Sequence, residues 1–337
     1  MKKINVLLLL PFILLSSCGE KNRVANLFIY DNTDPFMVSL VSSFKEHFEN
    51  NEFELKTYNA SRKQSLQNSQ IVSVLEKNKG NPLLVNIVDR LSTSVLIEKA
   101  KIEDTPLLLF NREPLLEDTT SSDWAKENVY YVGADSKYQG QAQAEIAAEY
   151  FNFASSFKGS KFDKNGDGKL QVALFRGELS HQDAEARTKY CLDGLRKFGF
   201  DIDLVEVAFC DWEYDKGYIE MRKIVSRNTN IELLLSNNDA MALGAISYLK
   251  EIMKPDQYFL EQYFPIIGVD GTDDALKAIN DGYLIGSVLN DGDTQAQIIY
   301  DLYISMIDNI KMPTLKDNVN QNGNFYYVKG QKITKNI

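Results

Sequence analysis

Along nearly the whole chain, short apolar runs alternate with longer stretches of helical periodicity, and this alternation limits the fold more than any other feature. Parallel strands cannot be joined by tight turns; they need crossovers of a dozen residues or more, usually helices, which then cover both faces of the sheet. Val24–Tyr30, Phe53–Tyr58, Leu83–Val88 and Pro106–Asn111 read as strands, with helices over Phe36–Phe48, Lys63–Asn78 and Ser92–Ile102 between them. In the first helix, Met37, Leu40, Val41, Phe44 and Phe48 form a stripe that a sheet would cover. A second series begins with Val129–Gly133 and a helix over Lys137–Phe157. It continues through strands near Leu170–Arg176, Val205–Cys210, Ile231–Ser236, Pro265–Val269 and Leu284–Leu289. A chain of 337 residues exceeds what one core usually serves, so the expectation is an α/β protein of two doubly wound, parallel-sheet domains. Asn318–Asn324 reads as a loop, and Ile252–Phe264 as a surface loop.

The N-terminus bears on the compartment. Lys2 and Lys3 precede an apolar run from Val6 to Leu15 that is too short to span a bilayer, followed by Ser16, Ser17 and Cys18. Leu15-Ser16-Ser17-Cys18 resembles a bacterial lipobox. Residues 1–17 would then be a signal peptide, Cys18 the lipidated first residue and 18–25 a polar, membrane-anchored tether; the alternative is an ordinary signal peptide with an incidental cysteine. The net charge of −10 argues against a nucleic-acid surface. After Cys18 only Cys191 and Cys210 remain, too few for a disulfide framework; they read as small core residues, with one bridge the alternative.

In open α/β sheets ligands bind beyond the carboxyl ends of the strands. The residues that follow the apolar runs are mostly amides and carboxylates: Asp34 with Phe36 in the first half, then Asn111, and in the second half His181, Asp183, Trp212, Asn238, Asp239, Asp270, Asn290 and Asp291. Arg187 lies one helical turn beyond Asp183. Such groups can each hold two neighbouring hydroxyls, and Phe36 and Trp212 offer flat faces to the C–H groups of a pyranose, so a sugar suits the inventory better than an apolar ligand. Each residue also has a plainer reading. Asn or Asp after a strand is commonly a helix cap, Asp183 with Arg187 a surface ion pair, and Phe36 or Trp212 core. Their coincidence is what carries the argument.

The segment Asp163-Lys-Asn165-Gly-Asp167-Gly168-Lys169-Leu-Gln171 has oxygen ligands at loop positions 1, 3, 5 and 9 and glycine at 6, the spacing of a calcium loop. Position 12 is Leu174, which excludes an EF-hand, so the missing carboxylate must come from elsewhere. Glu232 is a plausible donor, and Lys169 would contribute its carbonyl oxygen.

Taken together, Asp34-Pro-Phe36-Met37, Phe110-Asn111-Arg-Glu-Pro114, Tyr131-Val-Gly133, the metal loop, His181-Gln-Asp183-Ala-Glu-Ala-Arg187, Ser236-Asn-Asn238-Asp239-Ala-Met241, Gly268-Val-Asp270 and Val288-Leu-Asn290-Asp291 resemble the bacterial galactose/glucose-binding proteins, type I periplasmic binding proteins of ABC importers. The likeness runs from about Asn26 to Lys329. It implies two lobes joined by a three-segment hinge, here 26–130 with 291–324 and 131–290 with 325–337. It assigns glucose or galactose hydroxyls to Asp34, Asn111, His181, Asp183, Arg187, Asn238, Asp270 and Asn290, and the two ring faces to Phe36 and Trp212. Asp239 and Asp291 receive no ring contact. Structural Ca²⁺ falls to Asp163, Asn165, Asp167, Lys169, Gln171 and Glu232. The partners implied are a monosaccharide, a membrane permease and, in some relatives, a chemoreceptor, for a monomeric extracytoplasmic protein with no enzymatic activity. At the stacking position the flanking residues depart from the family pattern, and a two-residue shift would put Cys210 there instead of Trp212. A glycosidase would need a carboxylate pair across a scissile bond, which no motif marks. A repressor of the same fold would need a helix-turn-helix where the signal and tether stand.

Overall fold

The computed structural model describes residues 23–78, 80–255 and 257–335; the expected signal peptide, Cys18 and the start of the tether lie outside the described residues. Its first strands are β1 (Arg23–Ile29), β2 (Phe53–Asn59), β3 (Leu83–Val85), β4 (Leu107–Phe110) and β5 (Val129–Ala134). A second set follows: β6 (Leu170–Arg176), β7 (Ile202–Phe209), β8 (Leu233–Ser236), β9 (Ile266–Ile267) and β10 (Gly286–Val288), and the chain closes with β11 (Val319–Asn322), β12 (Phe325–Val328) and β13 (Lys332–Thr334). One sheet runs β2-β1-β3-β4-β5-β12-β11 and the other β7-β6-β8-β9-β10-β13. Pairing is parallel except for β11 on β12 and β13 on β10. Both sheets share one strand order, so each has its switch point in the same place, between β1 and β3 and between β6 and β8.

The expected stripe forms. Met37, Leu40, Phe44 and Phe48 of the helix Pro35–Glu49 are fully buried, packed with Ile299, Leu302 and Tyr303 of the helix Gly292–Ile307 on one face of the first sheet. Burying each such side chain stabilises by roughly 1.5–3 kcal/mol. In the second lobe, the helices Ser136–Tyr150 and Gln182–Lys197 cross closely because Gly140 meets the backbone at Arg187 and Cys191 without a side chain between them.

The structure departs from the sequence reading in several places. The lobe boundaries expected after 130 and 324 fall inside or against strands, since all of β5 and β12 belong to the first sheet; the chain crosses instead near 135, 290 and 330. β1 begins at Arg23, so residues 23–25, assigned to the tether, are already sheet. The helix expected to reach Phe157 stops at Tyr150, because Asn152 and Phe153 take φ of 54° and 63°, and a separate turn of helix covers Ala154–Phe157. Asn318–Asn324 is not a loop: its residues form the edge strand β11 and a turn at Gly323, where φ is 58°. The segment Ile252–Phe264 carries a short helix, Phe259–Gln262, whose Phe259 is buried in the second lobe's core. Cys191 and Cys210 are free and buried in separate clusters, so the alternative of a bridge is not realised.

Candidate functional site

Between the carboxyl ends of the two sheets lies a cavity lined by residues of both lobes. From the first lobe, Asp34, Phe36 and Asn111 line it; from the second come His181, Asp183, Arg187 and Trp212 on one side, Asn238 and Asp270 on another, and Asn290 at the crossover. Every residue assigned to the ring and its hydroxyls therefore meets the others in one space. Asp239 and Asp291 do not line it. Asp239 accepts from Ser287 (2.7 Å) and Thr272 N–H (3.0 Å), while Asp291 caps a helix.

The plainer reading of these residues is also true, and that is what makes the site rigid. Asp34 is the N-cap of Pro35–Glu49, its Oδ1 accepting from the N–H of Phe36 at 2.9 Å. Its Oδ2 accepts from the hydroxyl of Tyr30 at 2.6 Å. Asn238 caps Asp239–Ile252 through Oδ1, from Met241 N–H at 3.0 Å, while its Nδ2 donates to the Trp212 carbonyl at 3.2 Å. His181 caps Gln182–Lys197 with Nδ1, which accepts from Asp183 N–H at 3.2 Å. The proton of the neutral ring is then on Nε2.

Arg187 is the electrostatic centre. Its Nε donates to Gln139 at 2.8 Å and one Nη to the Asn237 carbonyl at 2.7 Å, which hold the guanidinium flat and in place. It stands 3.9 Å from Asp183 and 3.8 Å from Asp270, beyond direct hydrogen bonds, so a ligand hydroxyl can bridge cation and carboxylate. Burial pushes Asp270 well above its ordinary range, opposed by Arg187 and reinforced by Asp239 and Asp34; burial raises Asp183 and Asp34 as well. Burial drives His181 the other way, well below 6.5, with Arg112 and Arg187 adding to the effect. A depressed pKa makes this imidazole's contribution to stability complete above 6.5 and lost as the pH falls below it. Urea unfolding of wild type and His181→Gln at pH 7.5 and 5 should show the smaller acid-side loss in the variant. Equal losses would mean the ring is not held neutral.

Of the two residues considered for the stacking position, Trp212 lines the cavity and Cys210 does not. Trp212, with φ of 69°, lies edge-on to His181 at 5.0 Å between centroids and carries Arg187 5.8 Å from its ring centre. Cys210, the alternative occupant, is buried in the core instead. Sequence reasoning missed Tyr30, which lines the cavity, orients Asp34 and lies beneath the guanidinium of Arg112 at 4.2 Å. The only available signal was its place as the last residue of the first apolar run. The lobes also touch around the cavity: Gln182 donates to the Asn111 carbonyl at 2.7 Å, Arg112 pairs with Glu178 at 2.7 Å, and Arg62 with Glu213 at 2.7 Å.

The loop at 163–171 is folded about its own oxygens. Asp163 accepts from the N–H groups of Gly159 and Gly168, at 2.8 and 3.3 Å, and Asp167 from the N–H of Lys169 at 2.8 Å and the amides of Asn165 and Gln171. Glu232 reaches in from just before β8, accepting from Lys164 N–H (2.6 Å) and Gln171 N–H (3.1 Å). Among the described residues, no group of three or more His, Cys, Asp or Glu side chains is gathered closely enough to form an acidic metal cluster. The donor set is a mixed one of carboxylates, amides and a carbonyl, which is what a hard cation accepts. Burial raises the Glu232 carboxyl, and Asp163 and Asp167 raise it further, a surplus of negative charge that a divalent ion would neutralise.

Residues 24–311 match the family model described as periplasmic binding protein domain. The chain is 34% identical over 241 residues, 71% of its length and 67% of the other's, to the D-galactose/methyl-galactoside binding periplasmic protein MglB of Haemophilus influenzae. It shares its fold with an ABC transporter solute binding protein from Bacillus halodurans with bound myo-inositol (TM-score 0.74, 21% identity, 94% and 96% of the two chains). A periplasmic solute binding protein from Actinobacillus succinogenes with bound D-allose is similar as well (TM-score 0.76, 18% identity, 93% and 98%).

Proposed function

This chain belongs to the periplasmic binding protein family, a family of binding proteins rather than enzymes, and we propose that it is the extracytoplasmic component of an ABC importer that takes one aldohexose, D-glucose or D-galactose, into its cleft. The observation that carries this reading is the meeting, in one cavity, of amide, carboxylate, imidazole and guanidinium groups from both lobes with two aromatic faces. Because contacts come from both sides, the ligand binds the closed form better than any open one and shifts the population towards it. The closed form is then what a permease engages. Calorimetric titration with a panel of aldohexoses and pentoses tests the assignment: submicromolar to micromolar binding of glucose or galactose is expected, and tighter binding of a pentose or a polyol would replace it.

The loop at 163–171, with Glu232, is proposed to hold Ca²⁺ as a structural ion. Its support is the mixed oxygen set and the buried Glu232 carboxyl, which Asp163 and Asp167 raise further. Free calcium at a hundred times its Kd would stabilise the fold by about 2.7 kcal/mol. Chelation should therefore lower Tm by several degrees, and Asp167→Ala should abolish that response; an unchanged Tm on chelation would remove the metal.

A further inference from the structure

Two strained turns face each other across the mouth of the cleft. On the first lobe, Ser61 and Arg62 take φ of 48° and 61° just after β2; on the second, Asp211 and Trp212 take 48° and 69° just after β7. Left-handed backbone is costly for such residues and persists only where the surroundings enforce it. On the first side, the carbonyl of Tyr30 accepts from Arg62 N–H at 2.7 Å and Asn59 Oδ1 from Ser61 N–H at 2.9 Å, which aim the guanidinium over the gap. There Arg62 joins Asp31, a buried carboxylate of its own lobe, to Glu213 of the other lobe at 2.7 Å. Glu213 is held in turn by Lys216 at 3.1 Å, and Lys216 by Asp211 at 2.7 Å. Both chain neighbours of Trp212 are thus tied into one charged network that, among the described residues, reaches the first lobe through Arg62.

We propose that Arg62 and Glu213 form a latch between the closed lobes that holds the turn at Trp212 in place with or without ligand, prolonging the ligand's stay without touching the ligand. The proposal rests on the reading of the cavity as a ligand site but reaches past its lining residues. Nothing local in the chain marks the pair, since its members stand 151 positions apart. Both side chains are about one-third exposed, so the ion pair is partly screened and its effect is a moderate change of rate rather than an all-or-none lock. The contacts of Arg112 with Glu178 and of Gln182 with Asn111 persist without it, so closure itself survives.

The test uses Glu213→Gln and Arg62→Gln, singly and together, in a Trp124→Phe background so that Trp212 is the sole tryptophan. In ligand-free protein, acrylamide quenching of Trp212 should rise in each single variant, with no further rise in the double. Stopped-flow dissociation of the best-binding sugar should be about two- to fivefold faster in each single variant, again without addition in the double, and less dependent on salt than in wild type. Unchanged quenching and unchanged dissociation, or single effects that simply add, would overturn the latch. If wild type binds none of the sugars, the proposed ligand falls, and the quenching series still decides for or against the latch.

Discussion

Replacing Arg187 by methionine is expected to weaken sugar binding by about thirtyfold to a few thousandfold, the range for truncating one partner of a buried, hydrogen-bonded charge set at 2–5 kcal/mol. Methionine keeps much of the apolar stem but removes the cation that stands between Asp183 and Asp270. Those carboxyls, already raised by burial, lose the charge that opposes the rise, and a protonated carboxyl has one acceptor site fewer for a hydroxyl. Lysine should not restore affinity, because a point charge cannot keep the bonds to Gln139 and the Asn237 carbonyl while facing both carboxylates. Calorimetry of Arg187→Met and Arg187→Lys decides; a Kd within threefold of wild type for either would place the ligand elsewhere.

Gly177→Ala should come next in size. A methyl group at 177 would overlap the six-membered ring of Trp212, which lies directly against this glycine. The backbone just after β6 cannot retreat easily, since Gly177 N–H is tied to the Asn237 side chain, so the indole must move into the space meant for the ligand. Overpacking of this kind costs about 1–3 kcal/mol, here set against affinity rather than folding, or about five- to 150-fold in Kd. The control is specific: in a Trp212→Ala background the alanine at 177 should change affinity no further. A full additional loss there would mean that the glycine serves some other purpose.

What was legible in the chain and what was not follow from how local each determinant is. Strands such as Leu107–Phe110 and Leu233–Ser236 are apolar without interruption because both faces of a parallel sheet are covered. The same logic failed for β11, whose Val-Asn-Gln-Asn sequence is that of an edge with solvent on one side, and its polarity passed for a loop. The end of the helix at Tyr150 was hidden because aromatic residues continue beyond it; Phe151, Phe157 and Phe200 pack on one another once the chain turns at Asn152, a tertiary arrangement with no periodic trace. Most site residues were readable because they follow a strand, which topology alone brings to one end of a sheet, and Arg187 was readable from its helical spacing to Asp183. Tyr30 escaped since it belongs to the strand's own apolar run, and the partnership of Arg62 with Glu213 escaped since it exists only when two separate lobes meet.

The order in which the strands are made has a consequence for how the protein comes into being. β12 completes the pairing beside β5, and β13 that beside β10, yet both come after every other strand of the second sheet in chain order. A growing polypeptide thus cannot finish the first half until the strands β6 to β10 of the second are made, and contacts so distant in sequence are slow to form. A release one helix too early would leave both halves with unfinished, sticky borders rather than one sound half and one missing one.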